Sequence, residues 1–119
     1  MPNPFVHVEL MSTDVGKAKS FYGKLFDWEL EDVPINDMTY TMIKVGEGTG
    51  GGLMKNPIPN APSSWVAYVL VDDLKKAVEK AKTLGGTVMK DETQVKGRGL
   101  FAIIEDPTGA MLGLWESTK

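Results

Sequence analysis

The chain has 119 residues, 42% of them hydrophobic, with 13 Lys plus Arg against 16 Asp plus Glu, a single histidine and no cysteine. The lack of cysteine removes disulfides, zinc-finger thiolates and thiol nucleophiles together, and the scattered charges offer no basic face, so neither nucleic acid nor a membrane is an expected partner. The longest apolar run, "WVAYVLV" at 65–71, falls far short of the roughly 18 residues of a membrane helix, and "MPNPF" lacks the basic and apolar regions of a signal peptide, so a soluble cytoplasmic protein is expected.

"FVHVEL" at 5–10 alternates apolar and polar residues like a half-buried strand. In the following "STDVGKAKSFYGKLF", Val15, Ala18, Phe21, Tyr22, Leu25 and Phe26 recur at helical spacing behind a cap at Asp14 or Thr13. "WELEDV" (28–33), "YTMIKV" (40–45) and "GGLMK" (51–55), separated by a Pro-Ile-Asn-Asp turn and by "GEGTG", read as three strands. "NPIPNAPSS" at 56–64 holds three prolines in nine residues, which suits an extended connector and an internal hinge. "WVAYVLV" is then a strand, and "DDLKKAVEKAKTLGG" places Leu74, Ala77, Val78, Ala81 and Leu84 on one helical face between an Asp73 cap and a Gly85 stop. "TVMKD", "LFAIIE" and "AMLGLWE" follow as three strands, with "DPTG" at 106–109 as a tight turn between the last two.

Asp14, Ala18 and Leu25 each precede Asp73, Ala77 and Leu84 by 59 residues, so the chain carries two copies of one βαβββ module, about 4–55 and 65–117, joined by the connector 56–64. At this length one core is expected, hence one domain over 1–119. The fold class is α+β: two tandem modules whose sheets pair about a pseudo-twofold axis into a cupped mixed sheet, with function in the concave space.

The opening "FVHVEL…D…A…FY…LF", the second "YVLVDDL…A…LGG" and the closing "DPTGAMLGLWE" resemble, over nearly the whole chain, the vicinal oxygen chelate superfamily. That superfamily includes glyoxalase, bleomycin-resistance proteins and extradiol dioxygenases; "GGLM" and "FAIIEDPTGAMLGLWE" look most similar to its glyoxalase-related bacterial branch. The resemblance implies the fold and leaves the reaction open, because one scaffold hosts isomerases, epimerases, dioxygenases, thiol transferases and drug-binding proteins. In metal-using relatives the ligands come from the first and last strands of each module. Those positions fall here on His7, Val66, Gly113 and the stretch Gly52, Leu53, Met54, of which His7 alone is a strong donor. A catalytic transition metal needs about three protein ligands, so no bound metal and no cofactor are expected.

Alternation puts His7 and Glu9 on one face of the first strand, as an acid–base pair or as polar pocket lining. It likewise puts Val66, Tyr68 and Leu70 on one face of the fifth strand and Met111, Gly113 and Trp115 on one face of the last. With Met54 these form either an apolar, aromatic wall for a small organic ligand or ordinary core. Arg98, beside Lys96 in "KGRG", is a candidate for an anionic substrate group or a solvated turn residue. "GEGTGG" fits a dinucleotide loop in letters only, since "LMKNPIPNAP" and not a helix follows it.

The leading expectation is a metal-independent small-molecule-binding protein, as an enzyme a lyase or isomerase using His7 and Glu9. One alternative is a divalent-metal lyase or dioxygenase in which His7 is joined by Glu9 or an inward-turned Glu116. The other is a resistance protein that sequesters a planar drug. A homodimer that pairs modules between chains and closure within one chain are both open.

Overall fold

The computed structural model describes residues 2–118; Met1 and Lys119, the ends of the expected domain, lie outside the described residues. Its elements are β1 (Phe5–Ser12), α1 (Val15–Leu25), β2 (Glu29–Ile35), β3 (Met38–Lys44), β4 (Gly51–Lys55), β5 (Ser64–Leu70), α2 (Leu74–Thr83), β6 (Thr87–Val95), β7 (Gly99–Glu105) and β8 (Met111–Ser117). The order is βαβββ twice, as the repeat predicts, and the fold is α+β. Among the described residues no helix is long and apolar enough to cross a membrane. The chain divides into two compact units, His7–Val66, and the residues from Ala67 onward with the chain up to Val6.

In the first unit the strands lie in the order β2-β3-β4-β1. β1 runs parallel to β4, and the other pairs are antiparallel. A parallel partner needs a crossover, which begins with α1. Asp14 starts that helix by accepting from the Lys17 amide (3.0 Å), which settles the cap between the two candidates. Asn36 and Asp37 both take positive φ (50° and 64°), the signature of a two-residue type I′ hairpin between β2 and β3. Leu10, Ile43 and Leu53 form the core on the helix side of the sheet, with Val15, Ala18, Tyr22, Trp28 and Leu30 packed against them.

Two expectations change in this unit. The α1 stripe is not all inward, for Phe21, Leu25 and Phe26 are exposed, because 11 helical residues laid on a sheet bury one narrow side and Val15, Ala18 and Tyr22 occupy it. Nor is the proline segment extended. Asn56 Oδ1 accepts from the Ile58 amide (3.0 Å), and its Nδ2 donates to the carbonyls of Ala61 (3.1 Å) and Pro62 (3.0 Å). Three prolines that cannot donate are gathered round one asparagine that bonds both ways. The loop is fastened to the end of β1 by Asn56 N–H to the Ser12 carbonyl (2.9 Å) and Thr13 N–H to Ser63 Oγ (2.9 Å).

The second unit repeats the plan in the order β5-β8-β7-β6, with β5 parallel to β8. Asp73 caps α2 through the Lys76 amide (3.1 Å). Gly85 (φ 97°) terminates the helix as predicted: Gly86 N–H reaches the Ala81 carbonyl and Gly85 N–H the Lys82 carbonyl, so these two carbonyls near the helix end are satisfied. Leu74, Val78, Ala102 and Leu114 are the core on the helix side. Leu84, expected among them, is exposed at the C-cap, one residue beyond the last helical residue, Thr83. β6 runs four residues beyond the "TVMKD" of the sequence reading, to Val95, with irregular pairing after Val88 and Lys90. It is the edge strand of this sheet, and the charged run "KDE" that protects an edge also hides its strand period. In the "DPTG" turn Asp106 Oδ1 accepts from Thr108 N (2.7 Å), Thr108 Oγ1 (2.6 Å) and Ala110 N (3.1 Å), which holds its pKa below the ordinary carboxylate value.

Candidate functional site

Leu10 points to α1, so His7 and Glu9, one step out of phase, lie on the opposite face of β1, as alternation requires. In register, Glu9 stands beside Gly52 of β4, and Gly52 beside Met42 of β3. Tyr40, two residues before Met42, shares that face. Its ring lies across β4 in the space above Gly52 and carries the hydroxyl to β1. There the hydroxyl donates to Glu9 Oε2 (2.7 Å) and lies 2.8 Å from His7 Nε2. The His7 and Tyr40 rings are stacked at 25°, with centroids 6.4 Å apart. A Cβ at Gly52 would overlap the Tyr40 hydroxyl and sit 2.6 Å from its Cε2, so only glycine at this position leaves the path open. Gly51, next to it, would overlap the Val8 carbonyl with a Cβ, because β4 and β1 come close there.

Glu9 is 5% exposed, while His7 and Tyr40 are half-buried. Burial removes water that would solvate the imidazolium and pushes the His7 pKa below its ordinary 6.5, so the neutral ring is favoured. Met54 lies on this face too, beside Met11 in register. The expected residues His7, Glu9 and Met54 therefore come together on one sheet face. Tyr40, which joins the first two, is marked by no local pattern in the sequence. Its signal was indirect, a tyrosine and a glycine on successive strands of the same module.

The expected residues of the second unit gather in an aromatic group. Tyr68 is paired with Gly113, and a Cβ there would overlap the Tyr68 ring, so this ring lies over β8 and meets Phe101 edge-on at 6.2 Å. Trp115 pairs with Phe101 and covers Gly99, whose Cβ would come within 2.8 Å of Trp115 Cζ2. Its Nε1 donates to Ser117 Oγ (3.0 Å). Tyr68 is buried, at 3% exposure, as is Val66 at the end of the first unit, at 1%, and Met111 and Trp115 are half-buried. Phe101 was the residue missed here, since "LFAII" at 100–104 is apolar throughout and its inner face cannot be told from its outer one. Arg98 is exposed in the β6–β7 turn, with its N–H bonded to the Val95 carbonyl (2.9 Å) and its own carbonyl to Thr118 N–H (3.0 Å).

The repeat extends to these sites. Tyr40 and Gly52 precede Phe101 and Gly113 by 61 residues, and Glu9 precedes Tyr68 by 59. Each module has a glycine on its last strand that lets a ring pass over, but the ring comes from the third strand in the first module and from the first strand in the second. The first copy thus makes a polar chain and the second an aromatic contact.

The donor set does not fit a three-ligand transition metal. Among the described residues no group of three or more His, Cys, Asp or Glu side chains converges. His7 Nε2 is bonded to Tyr40, and the other positions implied by the resemblance hold Val66, Gly113 and the 52–54 stretch. Glu116, needed inward by the metal alternative, lies on the helix side, where its Oε1 accepts from the Leu74 amide (2.7 Å) at the start of α2. This counts against that alternative, and its cause is the alternation from Gly113 together with an unpaired helix-start amide.

The chain is similar to proteins of known sequence and structure. "Putative glyoxylase CFP32" of Mycobacterium tuberculosis is 34% identical over 118 residues, covering 94% of this chain and 45% of that protein, so the chain spans less than half the length of this relative. Methylmalonyl-CoA epimerase from Mycobacterium tuberculosis has a similar fold at a TM-score of 0.68 and 15% identity, over 97% of this chain and 88% of that one. So does a Streptomyces coelicolor methylmalonyl-CoA epimerase variant solved in complex with 2-nitronate-propionyl-CoA, at 0.66 and 13%, over 97% of each chain. The sequence profile described as Glyoxalase/Bleomycin resistance protein/Dioxygenase superfamily matches residues 5–114, and the chain belongs to that superfamily.

Proposed function

We propose that this protein binds a small organic molecule on the sheet face that carries His7 and Glu9, and that it is a metal-independent lyase or isomerase working by proton transfer between that pair and the ligand. The observation that carries the reading is the coupling of both groups to one tyrosine hydroxyl, at 2.8 and 2.7 Å. A neutral, half-buried imidazole is a base at neutral pH, and a buried carboxylate linked to it offsets the charge it gains. Met11, Met42 and Met54 supply adaptable apolar contact beside this pair.

The test is incubation of untagged, chelator-dialysed protein with a library of small carbonyl compounds in deuterated water. Deuterium entering a carbon position, or product formation, that is lost in both His7→Gln and Glu9→Gln supports the reading. Stoichiometric zinc, nickel, iron or manganese that survives dialysis, or turnover unaffected by both changes, overturns it.

A second reading, sequestration of a planar molecule, is favoured by the Tyr68, Phe101 and Trp115 group and its half-buried edge at Trp115 and Met111. It predicts a ligand-induced fluorescence change that Trp115→Ala abolishes. A cytoplasmic site of action and a homodimer belong to the proposal as well. Association between copies is supported by the exposed Phe21, Phe26 and Trp65, and sedimentation velocity tests it.

A further inference from the structure

We propose that Tyr40 is a positioning residue that fixes the His7 ring as the Nε2–H tautomer, leaving Nδ1 as its basic nitrogen, and that it passes the Glu9 charge to the ring. This rests on the reading of His7 and Glu9 as the acid–base pair and assigns each of their atoms a part. A phenol has one hydrogen, and two groups here lie within hydrogen-bond distance of one phenol oxygen. The chain of bonds therefore has a direction. An ionised carboxylate accepts and cannot donate, so the Tyr40 hydrogen goes to Glu9 Oε2. The Tyr40 oxygen then has only lone pairs to offer His7, and the ring nitrogen facing it, Nε2, has to carry the hydrogen.

A neutral imidazole has one N–H, so with Nε2 protonated the lone pair sits on Nδ1. In the reverse direction Glu9 would have to hold a proton, donate it to Tyr40, and make Nε2 an acceptor. The tautomer of His7 thus reports the charge on a carboxylate one tyrosine away. When Nδ1 takes a proton from a ligand carbon, the C–H bond breaks, the N–H bond forms and the electron pair stays on the ligand. The imidazolium formed donates from Nε2 to a phenol already polarised by Glu9, so its positive charge is offset through Tyr40. Gly52 is part of this device, since it is what lets the ring of Tyr40 cross β4.

His7 is the only histidine, so ring nitrogen signals in the 15N-labelled protein belong to one residue. Long-range proton–nitrogen correlation on the ligand-free protein above pH 7 is expected to show a protonated Nε2 and a bare Nδ1. In Tyr40→Phe, which keeps the ring and loses the oxygen, the ratio of the two tautomers is expected to fall several-fold toward a mixture. Wild-type protein with the hydrogen on Nδ1 overturns the proposal even if the variant does not fold, and so does an unchanged ratio in a folded Tyr40→Phe. The tautomer is read without any ligand. A protonated Nε2 that depends on Tyr40, found together with no deuterium incorporation into any compound, sustains this proposal and refutes the acid–base reading alone.

Discussion

Replacing Gly52 by alanine puts one methyl group where the Tyr40 hydroxyl lies, and the side chain has to leave. Two hydrogen bonds go with it: the bond to the Glu9 carboxylate, worth about 1.5–3 kcal/mol as a charged bond, and the bond to His7, worth about 0.5–1.5 kcal/mol. Alanine returns about 0.5–1 kcal/mol by restricting the unfolded chain, so the net loss of stability is expected to be about 1–4 kcal/mol. The assay is urea denaturation followed by far-UV circular dichroism, applied to a double-mutant cycle. In a Tyr40→Ala background the new methyl group meets no hydroxyl, and Gly52→Ala should then be neutral or slightly stabilising, which makes the coupling nearly the whole effect. The reasoning is refuted if Gly52→Ala costs the same with Tyr40 absent, or costs nothing with it present.

Three further outcomes follow from particular contacts. Glu116→Ala should lower stability by about 0.5–2 kcal/mol, as loss of a helix-start acceptor does, and speed hydrogen exchange at the Leu74 amide without changing ligand turnover; lost turnover at unchanged stability would place Glu116 at the reacting groups instead. Leu74→Ala should cost about 2–5 kcal/mol because the residue is fully buried, while Leu84→Ala should stay within about 0.5 kcal/mol, and equal costs in a thermal melt would put Leu84 back in the core. Because the folded His7 pKa is lowered, between its folded value and 6.5 the unfolded chain binds the proton and the folded chain does not. This contribution is complete above pH 6.5 and declines as pH falls toward the folded value, so urea midpoints should drop over that window in the wild type and drop less in His7→Gln; identical pH profiles would show that burial does not perturb the ring.

Much of this molecule is legible along the chain. The 59-residue offset gives the two modules, Asp14, Asp73 and Gly85 mark helix ends, and "DPTG" marks its turn. Alternation on β1 puts His7 and Glu9 on one face, and alternation on β8 turns Glu116 to the helix side of its own unit. All of these depend on neighbours within a turn of helix or a few residues of strand, where backbone geometry is local. What joins His7 to Glu9 was decided elsewhere. Tyr40 is 33 residues from one and 31 from the other, and it reaches them only because β4 lies between β3 and β1 in a register that puts Gly52 under its ring. The outward turn of Phe21 and Leu25, the folding of the proline segment round Asn56 and the pairing of Tyr68 with Phe101 were decided in the same way. A residue's own strand or helix tells which side it faces, whereas strand order and register, which no local spacing encodes, decide what it meets there.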